Sequence, residues 1–307
     1  MGVAINGAIE QGLLFALMAL GVYLTFRILN FPDLTVDGSF ALGGAVAAKL
    51  IIDGYSPFLA TLVALICGAA AGLFTGILST KGKINGLLAG ILTMIGLYSI
   101  NLRVMDNRAN LPLLREETIY TMLKDLNFPD LSVSGVTLLT GIAILFFIFV
   151  LIVKGIIDWF LHTDLGLDIR ATGDNSTMIR SFGANTDSTT IVGLALSNAL
   201  VATAGALIAQ YQGFADVGMG TGMIVIGLAS VIVGEVLFGH STIFRATLAV
   251  IGGSIVYRLV IAVALRAGLQ PADLKLMTTL IVILALILPT ALKKVMKKSS
   301  QTAKEGK

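Results

Sequence analysis

The chain has 307 residues, is 56% apolar and only 13% charged, and has a mean hydropathy of +0.92; soluble domains carry roughly 25% charged residues. This excludes a soluble globular protein and defines an all-α polytopic membrane protein without a separate soluble domain. The single cysteine, Cys67, excludes an intrachain disulfide and a cysteine-based metal cluster. The pI near 9.0 mostly reflects Lys293, Lys294, Lys297, Lys298, Lys304 and Lys307, a basic tail suited to anionic headgroups and not to nucleic acid.

Apolar windows place about nine transmembrane helices near 7–29, 36–52, 57–80, 84–102, 136–158, 190–211, 221–239, 243–266 and 274–292. They form one membrane domain over 1–292, followed by the tail at 293–307. The first span lacks the charged lead-in and cleavage site of a removable signal peptide and is expected to stay. The second is short for a span of about 20 residues, so it is tilted, broken or led in from Pro32.

Between the first two spans, Phe31-Pro32-Asp33-Leu34-Thr35-Val36-Asp37-Gly38-Ser39 brings two carboxylates and two hydroxyls to a helix entrance. Pro32 removes a backbone donor, and Asp33 or Thr35 can cap the helix that follows. The motif is a capped, broken helix start; the sharper alternative makes Asp33, Asp37 and Ser39 part of a gate. Gly68, Gly72 and Gly76 then form GxxxGxxxG in the third span, and Gly86 and Gly90 repeat the spacing in the fourth. Glycine at every fourth position clears one helix face for close packing.

The long segment at 103–135 includes LREETIYTMLKDL, which can form an amphipathic helix with Leu114, Ile119, Met122, Leu123 and Leu126 on one side. A polar loop at 159–189 follows the fifth span. Within it, Asp174 can cap a helix of about two turns that Gly183 ends. Met178, Ile179 and Phe182 share one face of that helix. Such a helix either docks on another protein or lies on lipid headgroups, and spacing alone does not choose.

Polar side chains within later spans include Asn198, Thr203 and Gln210, expected to make interhelical hydrogen bonds or to line a pathway. Gly213–Gly222 carries four glycines and is expected to form an irregular turn, which membrane depth permits only where protein or water shields it. Glu235 is expected to pair with Arg245. An offset of 183 aligns Phe31 with Phe214, Asp33 with Asp216 and Gly44 with Gly227, the signature of an inverted-topology repeat.

Basic residues orient the bundle. With the C-terminus cytoplasmic, the inner side collects 13 of the 21 lysines and arginines, and the tail decides the bias. The loop at 159–189 then faces the cytoplasm and 103–135 is external. No acidic or basic residue is expected firmly mid-span, which argues against a proton relay or ion-coupled carrier. His162 and His240 lack zinc-ligand spacing, and there is no GxxxxGK[ST], so neither a metal site nor an ATP site is expected on this chain. No clustered catalytic set marks an intramembrane enzyme.

Three stretches carry a family resemblance. They are LNFPDLTVDGSFALGGAVAA at 29–48, GLDIRATGDNSTMIRSFGANTD at 166–187, and ALSNALVATAGALIAQYQGFADVGMGTG at 195–222. In order and spacing they resemble the permease subunits of ATP-binding-cassette importers for branched-chain amino acids, ribose and related solutes. The resemblance implies a bacterial inner-membrane protein paired with a second permease copy, with a paired paralogue as the alternative. It further implies two ATP-binding subunits below, which carry the ATP and Mg, and an external solute-binding protein above. The helix around Asp174–Phe182 would be the coupling helix. Met178, Ile179 and Phe182 would anchor it, Arg170 and Arg180 would meet acidic rims on the ATPase, and Gly183 would close it. The chain is similar to permeases paired with tryptophan/tyrosine-type binding lipoproteins, which implies an amino-acid solute, hydrophobic or aromatic. A sugar or nucleoside importer, or an ion-driven secondary transporter, are the alternatives.

Overall fold

The computed structural model describes residues 2–125, 131–133, 136–268 and the single positions 273, 276, 279, 280 and 283. Three helices form its centre: α1 (Gly2–Tyr23, continued by a π-helical turn, Leu24–Ile28), α2 (Thr35–Ile52) and α8 (Thr186–Gln212). Their spanning windows are 83%, 78% and 78% buried. α8 can sit there because its Gly, Ala, Ser and Thr residues let neighbours approach from every side. Around this centre stand α3 (Pro57–Thr80), α4 (Gly86–Val104), α6 (Gly141–Leu161) and α10 (Ile243–Arg266), whose windows are only 28–39% buried. Their outward faces carry Phe58, Leu62, Ile66, Ile152 and Val263, as expected of surfaces in contact with acyl chains.

α3 lies along α8 on its glycine face. A Cβ added at Gly68 would fall 2.4 Å from the Asn198 carbonyl oxygen, and one at Gly72 2.2 Å from that of Leu194. One at Gly76 would fall 2.8 Å from Ile191 Cα. In the same way Gly86 receives the Phe31 ring and Gly90 receives Leu34.

Among the described residues seven helices are long and apolar enough to cross a membrane, and α9 (Met223–Phe238) is a shorter apolar helix. They correspond to the first eight expected spans. The ninth, 274–292, and the tail, 293–307, lie outside the described residues apart from four single positions. The fifth span begins later than expected, at Gly141, because Val136–Leu139 forms strand β3 paired antiparallel with β2 (Leu131–Val133). The amphipathic helix expected at 114–126 is shorter. Only α5, Ile119–Asp125, is helical, and Leu114 precedes it, 85% exposed; Leu126 lies outside the described residues. A second strand pair joins β1 (Asn110–Pro112) to β4 (Phe214–Asp216).

The repeat at offset 183 has a structural counterpart. Asp33 Oδ1 accepts a hydrogen bond from Thr35 N–H (2.9 Å) and Asp216 Oδ1 accepts one from Gly218 N–H (2.7 Å). The same aspartate turn thus precedes two helices, α2 and α9. Their N-termini meet inside the bundle, where Asp37 Oδ2 and Oδ1 accept from Gly222 N–H and Ile224 N–H (2.8 Å each). From this junction α2 runs to one end, where Lys49 pairs with Asp53 and Asp106. α9 runs to the other, where Glu235 pairs with Arg27 (2.9 Å). Glu235 therefore does not take Arg245, the expected partner. Helix packing brings it to the end of α1, and Arg245 Nε donates to the Phe238 carbonyl.

Charges also sit deeper than expected. α6 extends to Leu161, which places Lys154 and Asp158 within it, buried and paired with each other. Thr247 Oγ1 donates to Asp158 (2.7 Å), and Lys154 Nζ lies 3.6 Å from the Phe244 ring centroid. Glu10 of α1 is buried too and accepts from Thr140 and Tyr211. Each of these charges has a partner, which makes its burial in a spanning helix affordable.

Candidate coupling segment and solute pathway

The polar loop folds as α7 (Asp164–Ser181), and it is two helical pieces. Asn175 breaks it at φ −157°, ψ 89°. The half before the break is docked. Ile169 is buried with Leu29 and Leu194, and Thr172 and Thr189 share a hydrogen bond at 3.0 Å. A Cβ on Gly173 would lie 1.9 Å from the Ile28 carbonyl oxygen. The docked half therefore rests directly on the connection between α1 and α2.

The half after the break stands off. Its cap is Asn175 and not Asp174. Asn175 Oδ1 accepts from Met178 N–H (3.0 Å), three residues on, while Asp174 is exposed and ends the docked half. Gly183 closes the segment at φ +88°, where its own N–H reaches Arg180 O and Ala184 N–H reaches Ile179 O. Phe182 is 77% exposed, Met178 is 51% exposed and Ile179 is half-buried. Arg180 turns back onto its own chain, bonding Thr186 Oγ1 and pairing with Asp187 at 3.1 Å. Arg170 is half-buried on the docked half. Asn185, past the closing glycine, caps α8 by accepting from Asp187 and Ser188 N–H.

The six pathway candidates fall into different environments. Asp33 is fully buried in the connection and accepts from Asn198 Nδ2 of α8 (2.7 Å). Desolvation pushes its carboxyl above the usual range, opposed by the bonds from Thr35 and Asn198. Thr35 Oγ1 shares a hydrogen bond with Thr75 of α3 (2.8 Å), so α2, α3 and α8 are joined at one level. Asp37 serves as the carboxylate cap of α9, where the helix end favours negative charge. Ser39 Oγ and Asn198 Oδ1 are buried without hydrogen-bond partners among the described residues. Thr203 bonds back to Ala199 O of its own helix. Gln210 belongs to the external segment's attachment: it accepts from Ile119 N–H and donates to Thr61. The structure thus brings Asp33 and Asn198 together and separates Thr203 and Gln210 from them.

A further cavity of about 630 Å³ lies between α1, α2, α8, α9 and α10, with β4 and the turn after it along one side. Phe15, Phe40, Phe214, Tyr257, Asp216 and Arg258 are among its walls. Arg258 runs against the expectation that no charge sits firmly mid-span. It lies eight residues before the end of α10, and the signal that could have found it was a lone cation with apolar runs on both sides.

The sequence matches the family described as branched-chain amino acid transport system / permease component over residues 4–288. It is 43% identical over 279 residues to the tyrosine transport system permease protein of Clostridioides difficile (strain R20291), covering 91% of this chain and 89% of that one. An uncharacterized protein of Rickettsia prowazekii (strain Madrid E) is 33% identical over 91% of this chain and 95% of its own. The autoinducer 2 import system permease protein LsrC of Escherichia coli O157:H7 is 29% identical over 76% of this chain and 64% of its own. No solved structure matches the chain. Spanning helices, a broken-helix junction and a match over almost the whole length agree: the chain belongs to this permease family and is a multi-pass membrane permease subunit of an ATP-binding-cassette import system.

Proposed function

We propose that this permease moves an amino acid, most favourably one with an aromatic side chain, into a bacterial cell across the cytoplasmic (inner) membrane. The observation that carries the reading is the 43% identity to a tyrosine transport permease, sustained over 91% of the chain. The α7 end of the bundle faces the cytoplasm, as does the basic tail, and the β4 end faces out. Two copies pair in the membrane. An external binding protein delivers solute at the β4 end.

Energy enters through a separate ATP-binding subunit that carries ATP and Mg. It docks on the second half of α7, where Phe182 and Met178 are exposed beside the half-buried Ile179. Large apolar side chains standing in water beside a docked helix suit a partner's groove, where such anchors carry most of the binding energy. Arg170 and Arg180 flank that surface. The docked half of α7 transmits motion, because Gly173 touches the connection that holds Asp33.

A sugar-like solute is the second reading, favoured by the 29% identity to the autoinducer 2 permease. Uptake of labelled L-tyrosine, L-leucine and D-ribose by cells with and without the gene separates them. Loss of tyrosine uptake on deletion, with dependence on ATP, is expected. Loss of ribose uptake alone moves the assignment to the second reading, and uptake that follows an ion gradient removes the importer mechanism.

A further inference from the structure

Arg258, half-buried in α10, differs from the buried charges of the bundle. Lys154 has Asp158, and Glu10 has Thr140 and Tyr211. Arg258 has no carboxylate within ion-pair distance among the described residues. Its guanidinium carbon lies 3.6 Å from the Phe15 ring centroid, and among the described residues its side-chain hydrogen bonding is one long contact of 3.5 Å to Gln11 Oε1. Its Nε is buried with no hydrogen-bond partner among the described residues. A guanidinium has five N–H donors in a fork that matches a carboxylate. A cation held in a spanning helix without an anion is costly, and such residues face a solute path.

The cavity that Arg258 lines is chemically complete in other respects. Its volume of about 630 Å³ falls in the range of small-molecule sites. Among its described lining residues Arg258 is the one cation and Asp216 the one anion. Asp216 uses Oδ1 for Gly218 N–H, and its Oδ2 makes no hydrogen bond among the described residues. Phe15 and Phe40 stack at 5.9 Å with a 19° interplanar angle, and Phe214 and Tyr257 complete the aromatic walls. The N-terminus of α9, at the same cavity, is already occupied by Asp37, so it is not free to hold an anion. One cation, one anion and aromatic walls suit a zwitterion with an aromatic body.

We infer that this cavity is a transit site for an aromatic amino acid, with Arg258 binding its carboxylate and Asp216 its ammonium group. The inference rests on the amino-acid reading above and adds to it a recognition site on the permease itself, beyond that of the binding protein.

The test is equilibrium binding of labelled L-tyrosine to the full-length permease in lipid nanodiscs, with unlabelled competitors. Tyramine lacks the carboxylate, 3-(4-hydroxyphenyl)propanoate lacks the amine, and L-leucine lacks the ring. Each is expected to compete at least about tenfold more weakly than L-tyrosine, the loss of one charge-assisted or aromatic contact. In Arg258→Met the preference for L-tyrosine over tyramine disappears, and Arg258→Lys keeps part of it. Should Arg258→Met fail to fold, the competitor series on the natural protein and Phe214→Ala, at the rim, decide. Tyramine competing as well as L-tyrosine, or no saturable binding up to millimolar L-tyrosine, overturns the site. Cellular tyrosine uptake that persists alongside either result leaves the transport reading standing and removes only the site. Ribose uptake in its place removes the amino-acid reading, and the site with it.

Discussion

Two helix surfaces of this protein are built in opposite ways. On α3, glycine at 68, 72 and 76 clears one helix face, and α8 fills the space with its backbone and the Ala202 and Ile191 side chains. On the second half of α7, Phe182 and Met178 project into the open. The first surface is finished within the chain; its energy comes from close backbone approach. The second is left open, and under the proposed function its large side chains meet a partner's surface. The contrast teaches that small residues mark a contact a permease makes with itself, while the large exposed ones on α7 are where a partner's contact is proposed.

Mutations on the two surfaces should therefore separate folding from coupling. Gly72→Leu carries the largest expected effect. A side chain there meets backbone 2.2 Å away, and overpacking of this kind costs about 3 kcal/mol. Folded yield and thermal stability in detergent should collapse; unchanged values would mean that the seam does not close this tightly. Phe182→Asp should leave yield intact, since exposed substitutions shift stability by about 0.5 kcal/mol. Uptake should fall about 30-fold, the loss of one interface anchor worth about 2 kcal/mol. Normal transport by that variant would remove the coupling role of α7. Asn175→Ala should cost about 1 kcal/mol through loss of the cap, seen as faster hydrogen exchange at 176–181 with exchange at 164–174 unchanged. Equal acceleration in both halves would show that the break at Asn175 does not divide α7. Arg180→Ala should do least, because exposed ion pairs contribute about 0–1 kcal/mol. Uptake within about threefold is expected, and a loss as large as that of Phe182→Asp would give Arg180 a direct role in docking.

The sequence reveals most of the bundle because apolar runs of spanning length and glycines at every fourth position are local signals. Even the shortness of α2 was legible, and the structure supplies its reason: the helix starts inside the bundle at the Asp37 junction. What was hidden depends on distance in the chain. Arg27 and Glu235 are 208 residues apart, and nothing near Glu235 disfavours the closer Arg245. Asp174 and Asn175 are both good caps, and only the backbone break at Asn175 selects between them. The hairpin at 131–139 is apolar enough to merge with the span that follows it. Arg258 escaped notice because its cavity assembles from α1, α2, α8, α9 and α10 together with β4 and the turn after it, segments far apart in the sequence. In the candidate coupling segment, the exposed apolar face of 178–182 was visible from spacing, whereas the close seat of Gly173 on Ile28 was not.

The junction of α2 and α9 also bears on how the protein is made. Asp33 is bonded to a residue 165 positions later, and Asp37 to one 185 positions later. Chains grow at roughly 5–20 residues per second, so about 10–40 s separate these carboxylates from the groups that satisfy them. During that interval α2 has two acids at its start, with only the local Thr35 N–H to satisfy Asp33 and nothing from α8 or α9 for either. Its final seat can be taken only after α8 and α9 have emerged. Biogenesis therefore does not follow the order of synthesis: the second helix to leave the ribosome is among the last to reach its native place.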